Sequence, residues 1–209
     1  MYEEAERVCD FHRANAGEFL LPRSLAEVRH LVEQESLHIA VAGDDERIVA
    51  LCYVKQEERD AEFGGIFVHD DVRQLCLADA MGKVAISTHL LTTPLESGTR
   101  LIAHVHEAND RPRNLLGRLG FKDTGVKDPL PSHIAPASMR KNAEGRVVGD
   151  VFEFDFAKCS DFADWLETRP TLVTGPRGSA ALHIRSSALE TFGPDAFTAL
   201  RGIARGYRA

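Results

Sequence analysis

Apolar positions along this chain follow two periods, and where one gives way to the other an element ends. Residues 2–15 carry Val8, Phe11 and Ala14 at near-helical spacing, which predicts a first helix. Ser24 followed three residues later by Glu27 is a capping-box pattern, so a second helix is expected from Leu25 to about Glu35. Two β-rich runs, 37–42 and 47–55, flank Gly43-Asp44-Asp45 and read as a hairpin. AEFGGIFVHD at 61–70 is a third strand, in which Gly64-Gly65 marks a bulge or a close backbone approach. Val72, Leu75, Leu77, Met81, Val84, Ala85, Leu90 and Leu91 predict a helix over 72–91. Residues 99–107 alternate apolar residues with His104 and His106 and predict a strand. Asn109 then caps a helix that runs to Leu119 and stops at Gly120. Strands at Phe121–Val126 and 147–156 flank a Pro-rich connection at 127–146.

The expected order is two helices, three strands, a helix, a strand, a helix and two strands. It predicts an α/β fold of α+β type, with a mixed sheet covered by helices on both faces. Asp161–Thr168 is a short amphipathic helix around Phe162 and Trp165, and Pro194 opens a last helix over Asp195–Tyr207. The piece between, 171–192, has no clear period. The expected division is a domain at 1–157 and a C-terminal extension at 158–209.

Composition narrows the class. Of 209 residues, 44% are hydrophobic and 27% charged, which excludes a disordered or collagen-like chain. No apolar stretch approaches the roughly 20 residues that span a bilayer. The first residues, MYEEAERVCDFHRANAGEF, lack the basic start and apolar run of a signal peptide, so a cytoplasmic location is expected. The net charge of -7 argues against nucleic acid and anionic membranes as partners. That charge is uneven. Residues 158–209 hold 7 Lys+Arg against 5 Asp+Glu, and the rest of the chain 18 against 27. Cys9, Cys52, Cys76 and Cys159 are scattered without a Cys-x-x-Cys pair, so reduced thiols and no structural zinc are expected.

Three stretches carry a resemblance. ERIVALCYVK, AEFGGIFVHDDVR and HVHEANDRPRNLLGRLGF, with a long helix before the last, resemble the GCN5-related N-acetyltransferase (GNAT) superfamily. The most specific piece is Asn109 to Phe121, an Asn opening a helix that ends in Leu-Gly-Phe. Element order agrees over about residues 2–157. LLPRSLAEV at 20–28 is also similar to a segment of the acetyltransferase domain of N-acetylglutamate synthases.

The resemblance implies the acyl-CoA N-acyltransferase fold and transfer of an acyl group, acetyl from acetyl-CoA above all, to a primary amine by direct attack in a ternary complex. The acceptor would be a small molecule or a peptide. By position, the backbone of Ile66, Phe67 and Val68 would pair with the pantetheine arm. The loop Arg73-Gln74-Leu75-Cys76-Leu77-Ala78 would cradle the pyrophosphate at a helix N-terminus. Three departures stand out. Cys76 replaces the middle glycine of that cradle, and Gln74 follows Arg73 where Arg-Gly is common. Leu116 stands where many members carry a Tyr that protonates the leaving thiolate. A catalytically inactive protein on the same fold, binding CoA weakly or not at all, is the alternative that these departures favour.

Individual residues have competing readings. Glu62, at the start of the third strand, matches the position of a general base that deprotonates the amine, or is an exposed strand-end carboxylate. His104 and His106 share one face of their strand and are further base candidates, or simply polar residues of the sheet. His-x-His is also a metal-ligand pattern, but no companion has telling spacing, and no metal is expected. Asn109 is a helix cap that the resemblance also places near cofactor or substrate. Cys76 reads as a small buried filler, or as a reactive thiol at the CoA site. His69 and Arg73 flank the cradle, with Arg73 the better phosphate partner. Arg23 is a candidate for an acceptor carboxylate, or a surface residue before a cap. In the extension, Phe162, Trp165, Phe192 and Phe197 pack on the core, form a homodimer contact or cover the cleft. Arg201, Arg205 and Arg208 make a basic helical face suited to docking on the acidic body.

Overall fold

The capping box at Ser24 forms. Glu27 N–H donates to Ser24 Oγ at 3.2 Å, and Ser24 N–H donates to Glu27 Oε2 at 2.8 Å. The computed structural model describes residues 2–15, 23–42, 47–57, 59–73, 76–93, 98–107, 109–129, 141–168, 172–175, 178–181, 183–185 and 192–206. Its helices are α1 (Tyr2–Asn15), α2 (Leu25–Glu33), α3 (Leu77–Thr92), α4 (Arg111–Leu119), α5 (Cys159–Glu167) and α6 (Pro194–Gly206). Its strands are β1 (Leu37–Ala42), β2 (Arg47–Gln56), β3 (Ala61–Val68), β4 (Leu101–His106), β5 (Phe121–Pro129), β6 (Val148–Phe154), β7 (Leu172–Gly175), β8 (Gly178–Ala181) and β9 (His183–Arg185).

The main sheet has seven strands in the order β5-β6-β4-β3-β2-β1-β9. Every pairing in it is antiparallel except β3 with β4. This is the mixed sheet expected. Strand alternation sends Leu101, Ala103 and Val105 of β4 into the larger apolar cluster, and Ile102, His104 and His106 to the opposite face. α3 to α6 cover the first face, where Phe63, Met81, Leu119, Phe154, Phe162 and Leu200 share one core. α1 and α2 cover part of the second, over Ile39, Val41, Ile48 and Leu51. Among the described residues, no helix is long and apolar enough to cross a membrane.

Residues after 157 share this core. Phe162, Phe192, Phe197 and Leu200 are each 5% exposed or less and belong to the cluster of Leu77 and Met81. Arg201 ties α6 to α5 through Asp164 at 2.6 Å and Glu167 at 2.8 Å. Of the three arginines of the basic face, Arg201 thus pairs with acidic residues of the extension itself. Arg208 lies outside the described residues.

Some boundaries differ from the sequence reading, for local reasons. α3 begins at Leu77, not 72, because Asp70–Val72 forms a separate 3-10 turn and Cys76 takes a left-handed conformation. The N-cap of α4 is Asp110, not Asn109, and it makes no side-chain cap bond. Pro112 in the first turn supplies no N–H and so reduces what a cap must satisfy. α2 stops at Glu33, followed by Glu35 at φ 51°. β5 continues to Pro129, past a register shift between Asp123 and Lys127.

Candidate active site

β3 and β4 are registered only at Ala61 with Leu101 and Glu62 with Ile102. Past that point β3 pairs with β2 as far as Val68, and β4 pairs with β6 as far as His106. The sheet therefore splits between them. Every second peptide group on the β4 side of residues 63–68 faces the opening, because an antiparallel pair uses alternate residues only. Ile66, Phe67 and Val68 lie in this divergent part, half-buried. Phe67 packs edge-on against Phe11 of α1 with ring centroids 5.4 Å apart.

The bulge expected at Gly64-Gly65 lies at the start of the split, where the β2–β3 register shifts. Gly65 has φ +61°, and the Tyr53 ring lies against both glycines. A Cβ on Gly64 would stand 2.7 Å from Tyr53 Oη. Glycine is thus needed twice, for a left-handed backbone and for the ring.

Tyr53 was not among the sequence candidates, yet it connects Arg23 to the cleft. Arg23 donates to the Tyr53 hydroxyl and to Glu27 Oε1 at 3.2 Å, and its guanidinium lies 4.9 Å from the Tyr53 ring centroid. Burial pushes the Tyr53 hydroxyl up to about 12, and the charge of Glu62 adds to this. Arg23 is therefore half-buried and engaged, not the free surface residue of one sequence reading. It lines a cavity of about 420 Å³ with Ala26, Glu27, His30, Leu31 and Lys55.

A row of alternating charge crosses the same face. Lys55 of β2 stands opposite Glu62 of β3. Glu62 Oε1 lies 3.0 Å from His104 Nδ1 on β4, and His104 Nε2 lies 3.4 Å from Asp128 Oδ2 on β5. Burial pushes the Glu62 carboxyl up, but the His104 hydrogen bond and the charges of His104, Arg23 and Lys55 outweigh it and hold the group below its ordinary range. The bond to Glu62 raises the His104 ring against the opposing effect of burial, and Asp128 raises it further. Each ring nitrogen of His104 thus faces a carboxylate, Nδ1 that of Glu62 and Nε2 that of the more exposed Asp128. His106, two residues on, is buried, stands opposite Gly149 and accepts from Asn109 N–H at 2.8 Å. Of the two histidines, His104 is the one placed against Glu62. Among the described residues, no group of three or more His, Cys, Asp or Glu is arranged to hold a metal ion.

The cradle residues fit an anion in part. Arg73 is exposed but is held by Asp70 at 2.6 Å, with its Nε donating to the Val68 carbonyl. His69 caps the 3-10 turn and faces Asp71. Gln74 and Leu75 lie outside the described residues. Cys76 sits at the N-terminal end of α3 with φ 57°, the conformation a glycine would take, and its side chain is exposed. The buried filler expected there is corrected: a left-handed residue before a helix turns its side chain out of the core. Leu77 is buried and Ala78 half-buried, so what they offer an anion is backbone N–H at the helix start. Leu116 is 2% exposed within the apolar core and supplies no proton.

No family model matches the sequence, and no curated protein matches it by sequence. Solved structures do match. Arabidopsis thaliana NAA60 in complex with a bisubstrate analogue is 14% identical, with a TM-score of 0.54, over 73% of this chain and 92% of that one. The ribosomal-protein-S5-alanine acetyltransferase from Vibrio fischeri is 12% identical, with a TM-score of 0.53, over 73% of this chain and 87% of that one. A chain of the NatC complex bound to Gag peptide and CoA is 16% identical, with a TM-score of 0.51, over 71% and 88%. With TM-scores above 0.5 over most of each of these structures, the chain has the fold of the GCN5-related N-acetyltransferase (GNAT) superfamily.

Proposed function

We propose that this protein is an acyl-CoA-dependent N-acyltransferase, with acetyl-CoA as co-substrate and a primary amine, on a small molecule or a peptide, as acceptor. The observation that carries the reading is the split between β3 and β4, opening directly beside the Glu62–His104 pair. Bound acetyl-CoA supplies the activated acyl group. Backbone groups of Ile66 to Val68 would hold its pantetheine arm, and the N-terminus of α3 at Cys76 to Ala78, with Arg73 nearby, its pyrophosphate. Glu62 orients His104 through Nδ1, leaving Nε2 to take a proton from the amine. The neutral amine nitrogen then bonds to the acyl carbon, the C–S bond breaks, and the second proton shed by the nitrogen goes to the departing thiolate. A thiol with a pKa of about 8.5 is a fair leaving group without an acid, so Leu116 does not prevent turnover. The scattered cysteines, without a paired spacing, support a cytoplasmic setting.

The exposed Cys76 at a glycine's conformation supports a second reading, a protein of the same fold that binds CoA poorly and does not turn over. Thermal unfolding with and without acetyl-CoA separates the two. Ligand at 100 times its Kd adds about 2.7 kcal/mol of apparent stability. No shift at millimolar acetyl-CoA in a folded sample would sink the enzyme reading. A shift, followed by thiol release that depends on an added amine, supports it and identifies the acceptor class.

A further inference from the structure

The outer end of the charged row was not a sequence candidate. Asp128 lies on β5, two strands away from His104 on β4, with β6 between them. A side chain on the intervening strand would normally separate them. The β6 residue opposite Asp128 is Gly149. A Cβ at Gly149 would stand 3.5 Å from His104 Cβ, 3.7 Å from the Val105 carbonyl oxygen and 3.8 Å from the Asp128 carbonyl oxygen, so a side chain here would rise beside both residues. With no side chain there, the Asp128 carboxylate reaches over the strand to His104 Nε2, the nitrogen that Glu62 leaves unused.

We propose that Asp128 is a positioning residue for His104: reaching over Gly149, it holds Nε2 at the cleft and favours the charged ring. The inference rests on the reading of His104 as the base. Glu62 and Asp128 together clamp the ring at both nitrogens, so its plane is fixed. A neutral ring with its hydrogen on Nδ1 would turn a lone pair from Nε2 toward a carboxylate, whereas the charged ring donates to both acids. The base becomes available only once this proton leaves, so Asp128 raises the pH at which the site turns on. Lys55 of β2 and Arg23 before α2 act on Glu62, and His106 lies on the same strand as His104. Asp128 itself is well exposed, with 59% of its side chain accessible, so its replacement tests the ring and not the fold.

NMR of the histidine rings tests this without reference to turnover, with the His104 signal assigned from its loss in His104→Gln. In Asp128→Asn the titration midpoint of His104 is expected at lower pH than in the wild type. Asp128→Glu should keep it near the wild-type value, since the charge is retained. Gly149→Val, which puts a side chain beside both residues, should lower it as Asp128→Asn does. An unmoved midpoint in Asp128→Asn overturns the proposal. A pH series of kcat/KM with acetyl-CoA and an accepted amine forms the second arm. The acid limb should follow the NMR midpoint to lower pH. If the midpoint moves and the limb stays, the contact stands but His104 is not the base, and the role of Asp128 in the reaction falls with it.

Discussion

Two buried histidines outside the charged row make the fold acid-sensitive, and the size of the effect can be worked out. His38 of β1 is 2% exposed, and its Nδ1 has no hydrogen-bond partner among the described residues. Burial, with the charge of His89 adding, lowers its pKa from 6.5 to about 4. His12 of α1 is equally buried and also falls to about 4, through burial first and then the charge of Arg23. The folded pKa lies below the unfolded one, so between about 6.5 and 4 the unfolded chain binds more protons. Stability is therefore full above about pH 6.5 and is lost as pH falls. A shift from 6.5 to about 4 amounts to about 3 kcal/mol per residue once both states are protonated, and about 2 kcal/mol of that is lost by pH 5. Two such residues approach the 5–15 kcal/mol that holds an ordinary domain together. His104 acts in the opposite sense. Its raised pKa gives stability that is full below 6.5 and lost as pH rises through the folded value.

The assay is urea denaturation at pH 7.5 and pH 5.0 on wild type and His38→Leu. The variant changes stability at both pH values through packing, so the informative quantity is the loss between them. That loss should be smaller in His38→Leu than in the wild type by about 2 kcal/mol. An equal loss in both proteins would refute the argument, because it would mean that His38 titrates alike folded and unfolded.

Three substitutions test other parts of the structure. Gly65→Ala forces a Cβ into a φ of +61° and onto the Tyr53 ring, and should cost about 1–3 kcal/mol by chemical denaturation while weakening acetyl-CoA binding. Cys76→Gly relieves a left-handed backbone that costs an L-residue about 1–2 kcal/mol, so the melting temperature should rise and acetyl-CoA should bind more tightly; weaker binding would show the thiol to be useful. Phe162→Ala leaves a hole under α5, where the ring lies 5.7 Å from Phe154, and should cost about 3–5 kcal/mol in the urea midpoint; a small loss would mean that α5 is peripheral.

Much of the fold was legible because its signals are local. The Ser24–Glu27 box, the Gly64-Gly65 bulge and the Gly120 stop each depend on a few adjacent residues, and each stands where the pattern put it. Errors arose where one local signal hid another. Val72 continues the apolar period of α3, but it belongs to a 3-10 turn capped by His69, and nothing in the spacing marks Cys76 as left-handed. Asn109 and Asp110 are both good caps, and the sequence does not say which one the helix uses. The lack of a clear period over 171–192 also has a cause: β7, β8 and β9 are three or four residues long, too short to establish one.

The candidate site was legible only in pieces, because it is assembled by strand register. Glu62, His104 and Asp128 each look like one charged residue among many in the sequence. They meet because Glu62 pairs with Ile102 of β4, because His104 faces away from the apolar cluster, and because Gly149 puts no side chain on the strand between. Shifting β3 or β4 by one residue would turn Glu62 or His104 toward the core. Tyr53 and Asp128 escaped notice for the same reason: one is an apolar-looking strand position and the other an exposed carboxylate after a Pro-rich connection begins. The parity of a strand can be read from its own sequence, but its partner cannot. A site built across four strands therefore becomes visible only when their registers are known together.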